Sequence, residues 1–190
     1  GTNFTDSLLV GHATTGTLSS AEDNTGVGIG ALNALTSGDG NTSVGSEAGG
    51  AINSGIRNTT IGAIAGDAIT TSQQNTAVGY SSLTTNISGD KNTAIGAYSL
   101  NAATGGFNIG VGKGAGANIS SGAGNIIIGT NDISADSATG NRQLKIAGND
   151  GSTTTTWISG DSNGQVKLVS GYIAEVALTD AATITWNAAT

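Results

Sequence analysis

The chain has no cysteine, no proline and no methionine. The lack of Cys excludes disulfides, thiol nucleophiles and thiolate zinc sites together. The lack of Met means that Gly1 is no natural start, which predicts a fragment or a processed chain. The run ending at Thr190 is strand-like, which predicts further sequence beyond it. No apolar run reaches the roughly 18 residues of a membrane span and the N-terminus is not signal-like, so membrane insertion is not expected. Aromatics make up 4% and charged residues 10% of the 190 residues, well under the usual quarter for charge. Formal net charge is −7, and the six basic residues (Arg57, Lys91, Lys113, Arg142, Lys145 and Lys167) are scattered. That distribution makes nucleic acid and anionic membrane surfaces poor partners.

What is present in quantity is glycine, 32 residues of it, with Ala, Thr, Ser and Asn. A lone core of small side chains is thin. Stability must therefore come from repeated hydrogen bonding and from partner chains. Asn recurs at 24, 41, 58, 75, 92, 108 and 125, with spacings of 17, 17, 17, 17, 16 and 17. The copies read NTGVGIGAL, NTSVGSEAG, NTTIGAIAG, NTAVGYSSL, NTAIGAYSL, NIGVGKGAG and NIIIGTNDI, and a degenerate copy, SLLVGHATT, starts at Ser7. With Asn as slot zero, slot three is Val10, Val27, Val44, Ile61, Val78, Ile95, Val111 and Ile128, and slot four is always Gly. Slot seven is small, and a second apolar slot falls at Leu18, Leu35, Ile52, Ile69 and Ile119. Turn formers such as Ser88-Gly89-Asp90-Lys91 lie between copies.

Two apolar slots half a period apart make two short strands and two turns, one flat coil of a solenoid. The fold class expected is therefore all-β, a parallel β-roll or β-solenoid of about eight coils with a 17-residue repeat. Stacking at about 4.8 Å places each slot over its copy. The Asn column (Asn24, Asn41, Asn58, Asn75, Asn92, Asn108, Asn125) is expected to form an amide ladder at the corner. Slots one and three share parity and are expected to face the core together. The invariant Gly signals positive φ or a close approach of another backbone. Disordered low-complexity sequence has no need to hold Val or Ile at one slot in every copy.

The run N-T-x-[Val/Ile]-G-x-x-[Ala/Ser], closest at Asn75–Ser82 and Asn92–Ser99, resembles the YadA-like head repeats of trimeric autotransporter adhesins and similar repeats of bacteriophage tail fibres. The resemblance covers roughly residues 7–140. It implies a left-handed parallel β-roll and a homotrimer of three chains side by side, with the invariant small residues where chains meet. The period departs from the shorter one common in those adhesin heads, the extra residues falling in the turn.

Residues 1–140 are thus expected to form the solenoid, 141–171 a β-hairpin connector, and 172–190 the start of a further β module. Arg142–Ala147 alternates as a strand. Trp157–Asp161 and Gln165–Val169 flank an Asn163-Gly164 turn, a strong hairpin signal. Tyr172–Leu178 and Ala182–Trp186 read as two more strands, and VALTDAATITWNA is similar to the start of C-terminal modules in phage tail fibres.

No constellation carries chemistry. Gly110-Val-Gly112-Lys113-Gly114 lacks the Ser or Thr and the strand–loop–helix context of a phosphate loop. His12 is the only His and sits in a variable slot. Glu22, Asp23, Asp39 and Asp90 fall in the turns, while Glu47 and Asp67 stand isolated, which argues against a glycosidase pair. No enzyme, catalytic residue, cofactor or metal is expected. The column Thr25, Thr42, Thr59, Thr76, Thr93 suggests ice binding, but an inward slot one argues against it. The function expected is a structural, adhesive segment of a trimeric phage fibre in the virion, partnered by other fibre proteins and presenting a tip to a host cell-surface receptor. The alternative is the head of a bacterial surface adhesin. Recognition by this segment itself would lie on the variable turn slots, with Arg57 and Lys91 as candidates, unless those tips are solvated spacers.

Overall fold

The computed structural model describes residues 4–5, 8–11 and 20–168. These residues form short strands and no helix. The strands are β1 (Phe4–Thr5), β2 (Leu8–Val10), β3 (Ala21–Glu22), β4 (Thr25–Val27), β5 (Thr42–Val44), β6 (Thr59–Ile61), β7 (Thr76–Val78), β8 (Thr93–Ile95), β9 (Ile109–Val111), β10 (Ile126–Gly129), β11 (Leu144–Asn149), β12 (Thr154–Gly160) and β13 (Val166–Leu168). A single sheet runs from β2 through β4 to β13 in chain order. Every neighbour from β2 to β11 is parallel, and β12 and β13 close the sheet antiparallel. The chain is an all-β parallel solenoid of about eight turns, with copies such as Thr25, Thr42 and Thr59 in direct register. The turns stack as well: Leu32, Ala34 and Thr36 donate their N–H groups to Ala48, Gly50 and Asn53 of the next coil.

The expected face of the strands is reversed. Slot two points inward, filled by Gly26, Ser43, Thr60, Ala77, Ala94, Gly110 and Ile127, all buried. Slots one and three, including Val27, Val44, Ile61, Val78, Ile95, Val111 and Ile128, line the outside. Parity in a three-residue strand groups residues by face but does not say which face is the core. Size decides it here. The coil is narrow, and slots seven, eight and eleven already bring Ala31, Leu32 and Leu35, or Ala48, Gly49 and Ile52, into it. Only a small side chain fits opposite them; in the Asn125 coil, where slots seven and eleven are the exposed Asp132 and Asp136, Ile127 takes the space.

In the coils from Asn24 to Asn92 slots two and eight compensate each other. Coils with Ala77 or Ala94 at slot two carry Leu83 or Leu100 at slot eight, while coils with Ser43 or Thr60 carry Gly49 or Gly66. A Cβ added at Gly66 would lie 2.7 Å from Thr60 Cγ2 and 2.9 Å from Ile69 Cδ1. This is close packing worked out coil by coil. Slot eight is a left-handed position, with φ of 55° at Leu32, 53° at Leu83 and 48° at Leu100. The invariant slot-four Gly answers to both of the reasons expected of it. At Gly62 φ is +127°, and an added Cβ would lie 2.7 Å from both the carbonyl carbon and oxygen of Gly79 in the next coil.

The solenoid runs past residue 140. β11 pairs in parallel with β10, Ile128 opposite Ile146, and Gln143 takes the place of an eighth ladder Asn. Its N and Nε2 both donate to Asn125 Oδ1, at 2.8 and 3.1 Å. The 18-residue step from Asn125 to Gln143 and the changed residue type hid this coil in the sequence. The hairpin of β12 and β13 around Asn163-Gly164 forms as expected. His12, Leu18 and the strands expected at 172–178 and 182–186 lie outside the described residues.

Candidate interaction surface

The Asn column is built at the corner where each strand begins. Asn41, Asn58, Asn75, Asn92, Asn108 and Asn125 each donate a backbone N–H to the Oδ1 of the Asn one coil earlier, at 2.9 to 3.0 Å. Most add a side-chain Nδ2 bond to the same oxygen, as Asn58 does to Asn41 at 3.1 Å. The remaining Nδ2 hydrogens hold the coil's own closing turn, Asn41 to Gly55 O and Asn58 to Ser72 O, both 2.8 Å. These amides are buried and fully used, so they are structural and offer nothing to a ligand.

The outer sheet face of the described residues carries two columns of side chains with no partner against them. Thr25, Thr42, Thr59, Thr76 and Thr93 form one column, continued by Leu8, Ile109 and Ile126, and the Val and Ile of slot three form a second beside it. Val27, Val44, Ile61, Ile95, Ile109, Ile126 and Ile128 are each 36 to 42% exposed. Such a continuous apolar band on a flat sheet is unusual on an unpartnered surface.

Arg57 and Lys91 occupy the slot before the Asn, an outer corner in left-handed conformation, with φ of 57° and 58°. They are exposed, but Gln74 of the intervening coil separates them, so the fold does not gather them into one basic site. The Arg57 stem lies over Gly40, 3.6 Å from where a Cβ would stand. Lys91 Nζ lies 5.2 Å from the Phe107 ring centre, a cation–π contact the sequence did not suggest. The neighbouring carboxylates serve the turns: Asp39 Oδ1 accepts from Glu22 N and Asp90 Oδ1 from Gln73 N, both 2.9 Å.

Glu47 and Asp67 are not isolated as expected. They line one notch with Gly30, Asn33 and Gly50. Burial pushes the Asp67 carboxyl above its ordinary range, against the N–H groups of Asp67 and Ala68, and the Glu47 charge raises it further. Asp67 Oδ1 is buried without a partner among the described residues. Further along the same corner, Tyr80 and Tyr98 meet edge to face at 5.3 Å between ring centres, both exposed. Among the described residues no group of three or more His, Cys, Asp or Glu side chains could hold a metal ion, and no helix is long and apolar enough to cross a membrane.

Comparison with known proteins returned no match, neither a family model, nor a curated protein, nor a solved structure.

Proposed function

We propose that this chain is a structural and adhesive segment of a homotrimeric fibre, of the kind carried as a virion tail appendage, that holds a receptor-binding tip away from the particle. The observation that carries the reading is the outer sheet face. Nine of its apolar side chains (Leu8, Val10, Val27, Val44, Ile61, Ile95, Ile109, Ile126 and Ile128) are substantially exposed in the single chain. Covering them is worth about 1 kcal/mol each, scaling full burial by the exposed fraction. That gives about 9 kcal/mol per chain, comparable with the cost of association. The antiparallel β12–β13 closure favours a fibre built of successive β modules over an adhesin head, which would lead into a heptad stalk.

The turn column suits spacing better than recognition, because its acids bond backbone and its cations stand two coils apart. Replacing Arg57 and Lys91 by Ser is then expected to leave attachment to host cells unchanged. Light scattering of the purified chain should give three times the chain mass; a stable folded monomer would overturn the reading.

One observation favours a second reading. The Thr column faces out, so the argument against ice binding from an inward slot one no longer holds. A flat, regularly spaced Thr array orders water. Against it, the column passes into Ile109 and Ile126, and its neighbour is wholly aliphatic. Thermal hysteresis from a monomeric chain would establish this reading in place of the fibre.

A further inference from the structure

An open cavity of about 510 Å³ lies at the C-terminal end of the described residues, lined by Thr130, Gly148, Asn149, Asp150, Thr153, Thr155 and Trp157. Trp157 is placed there by a β-bulge. Ile146 pairs with Ile158 and Ala147 with Thr156, so Trp157 is the extra residue between two partners. A bulge re-aims a side chain, and here it turns out an indole that is 47% exposed. The six-membered ring sits over Gly148: an added Cβ there would lie 2.7 Å from Cη2 and 2.9 Å from Cζ2. Gly148 is thus the seat of the ring. It lies two residues beyond Ile146 along β11, about 6.6 Å past the apolar column, at the margin of the outer face.

Beside the ring stands a fixed carboxylate. Asp150 Oδ1 accepts from Ser152 N at 2.9 Å, Ser152 Oγ at 3.0 Å and Thr153 N at 2.9 Å. These donors lower its carboxyl to about 2, so it stays ionised at any physiological pH. Its Oδ2 has no partner among the described residues, and neither do the hydroxyls of Thr153 and Thr155. Asn149 orders the rim through Thr154 Oγ1 and Gly151 N.

We infer that this is a saccharide-binding site, in which a neutral pyranose ring stacks its C–H face on Trp157 while adjacent ring hydroxyls donate to Asp150 Oδ2 and exchange hydrogen bonds with Thr153 and Thr155. The negative face of the indole attracts the weakly positive C–H groups of a sugar. An oriented carboxylate with one free oxygen accepts from two neighbouring hydroxyls. A cavity with one apolar platform and a few converging polar groups is the usual build of a small-ligand site. The rim carries no cation, which disfavours anionic sugars. The site is open, so affinity is expected near the millimolar range.

The test uses the full chain with Trp186→Phe, leaving Trp157 as the only indole. Methyl glucosides, methyl galactosides and their neutral tetrasaccharides are titrated to about 50 mM while the Trp157 indole N–H is followed by NMR. A saturable shift with at least one probe is expected. Asp150→Asn, which can keep the turn bonds, should weaken it about tenfold, roughly one charge-assisted hydrogen bond. Trp157→Ala, followed at the backbone amides of Thr153 and Thr155 because the indole is gone, should abolish binding with mass and melting unchanged. Absence of a shift with every probe overturns the inference. So does a Trp157→Ala chain that falls to a lower mass, since the indole would then be an interchain contact; the fibre reading would survive that result.

Discussion

Asn58→Ala removes one rung of the buried amide ladder. In the native chain Asn58 Oδ1 accepts from Asn75 N at 3.0 Å and Asn75 Nδ2 at 3.2 Å, while its Nδ2 donates to Asn41 Oδ1 at 3.1 Å and Ser72 O at 2.8 Å. Two of those partners keep another bond: Asn41 Oδ1 still receives Asn58 N, and Asn75 Nδ2 still reaches Ser72 Oγ. The Asn75 N–H and the Ser72 carbonyl are left unpaired in the interior. Each orphaned buried group costs about 1–3 kcal/mol, so the variant should lose about 4 kcal/mol per chain. In a solenoid the damage stays with neighbouring coils. Urea denaturation should show the loss, and hydrogen exchange should show the Asn75 amide opening while amides near Ala21 and Ala147 keep their protection. A loss under about 1 kcal/mol, no more than one ordinary hydrogen bond, would refute the claim that the ladder bears the corner.

Adjacent residues should respond oppositely. Ala77→Asp buries an unpaired carboxylate and is expected to unfold the central coils, whereas Val78→Asp should leave each chain folded and lower only the assembly mass; circular dichroism with light scattering separates the two. Gly66→Leu overpacks against Thr60 and Ile69 and should cost about 1–3 kcal/mol, much of it recovered in Thr60→Gly/Gly66→Leu, which copies Gly26 and Leu32 of the coil that also carries a large apolar residue, Leu35, at slot eleven; additive losses in the double variant would contradict the compensation. The Asp150 carboxyl should titrate at about 2 rather than 3.8. Because its folded value is depressed, its support of the 150–153 turn is complete above 3.8 and is lost as pH falls toward 2; a carboxyl-carbon titration centred near 3.8 would contradict the three donors.

The repeat made the fold legible. Period, Asn column, slot-four Gly and slot-eleven apolar residues all survive in the structure, because stacking forces each slot to repeat its environment. The facing of the strand was not legible, because the most conspicuous apolar slot suggested the core. The signal that could have corrected this was slot two, where Gly26, Ala77 and Ala94 are too small for a solvent face rich in β-branched residues, and where size trades against slot eight. The coil at Gln143 was missed because Gln replaces Asn, though its amide does the same work. Trp157 was placed on a strand but not in a cavity. A bulge shifts pairing by one residue without a mark in the local alternation, and Gly148, its seat, reads as an ordinary strand glycine.

The central claim is that the Val/Ile band is where chains meet. Spin labels on Ile61→Cys, in a chain that otherwise has no Cys, test it by measuring distances between copies. Packed sheet faces stand about 10 Å apart, so labels on the band should give short, narrowly distributed distances, while labels at Asn53→Cys, away from the band, should give clearly longer ones. Long distances from Ile61, or no coupling between chains at all, would contradict the account.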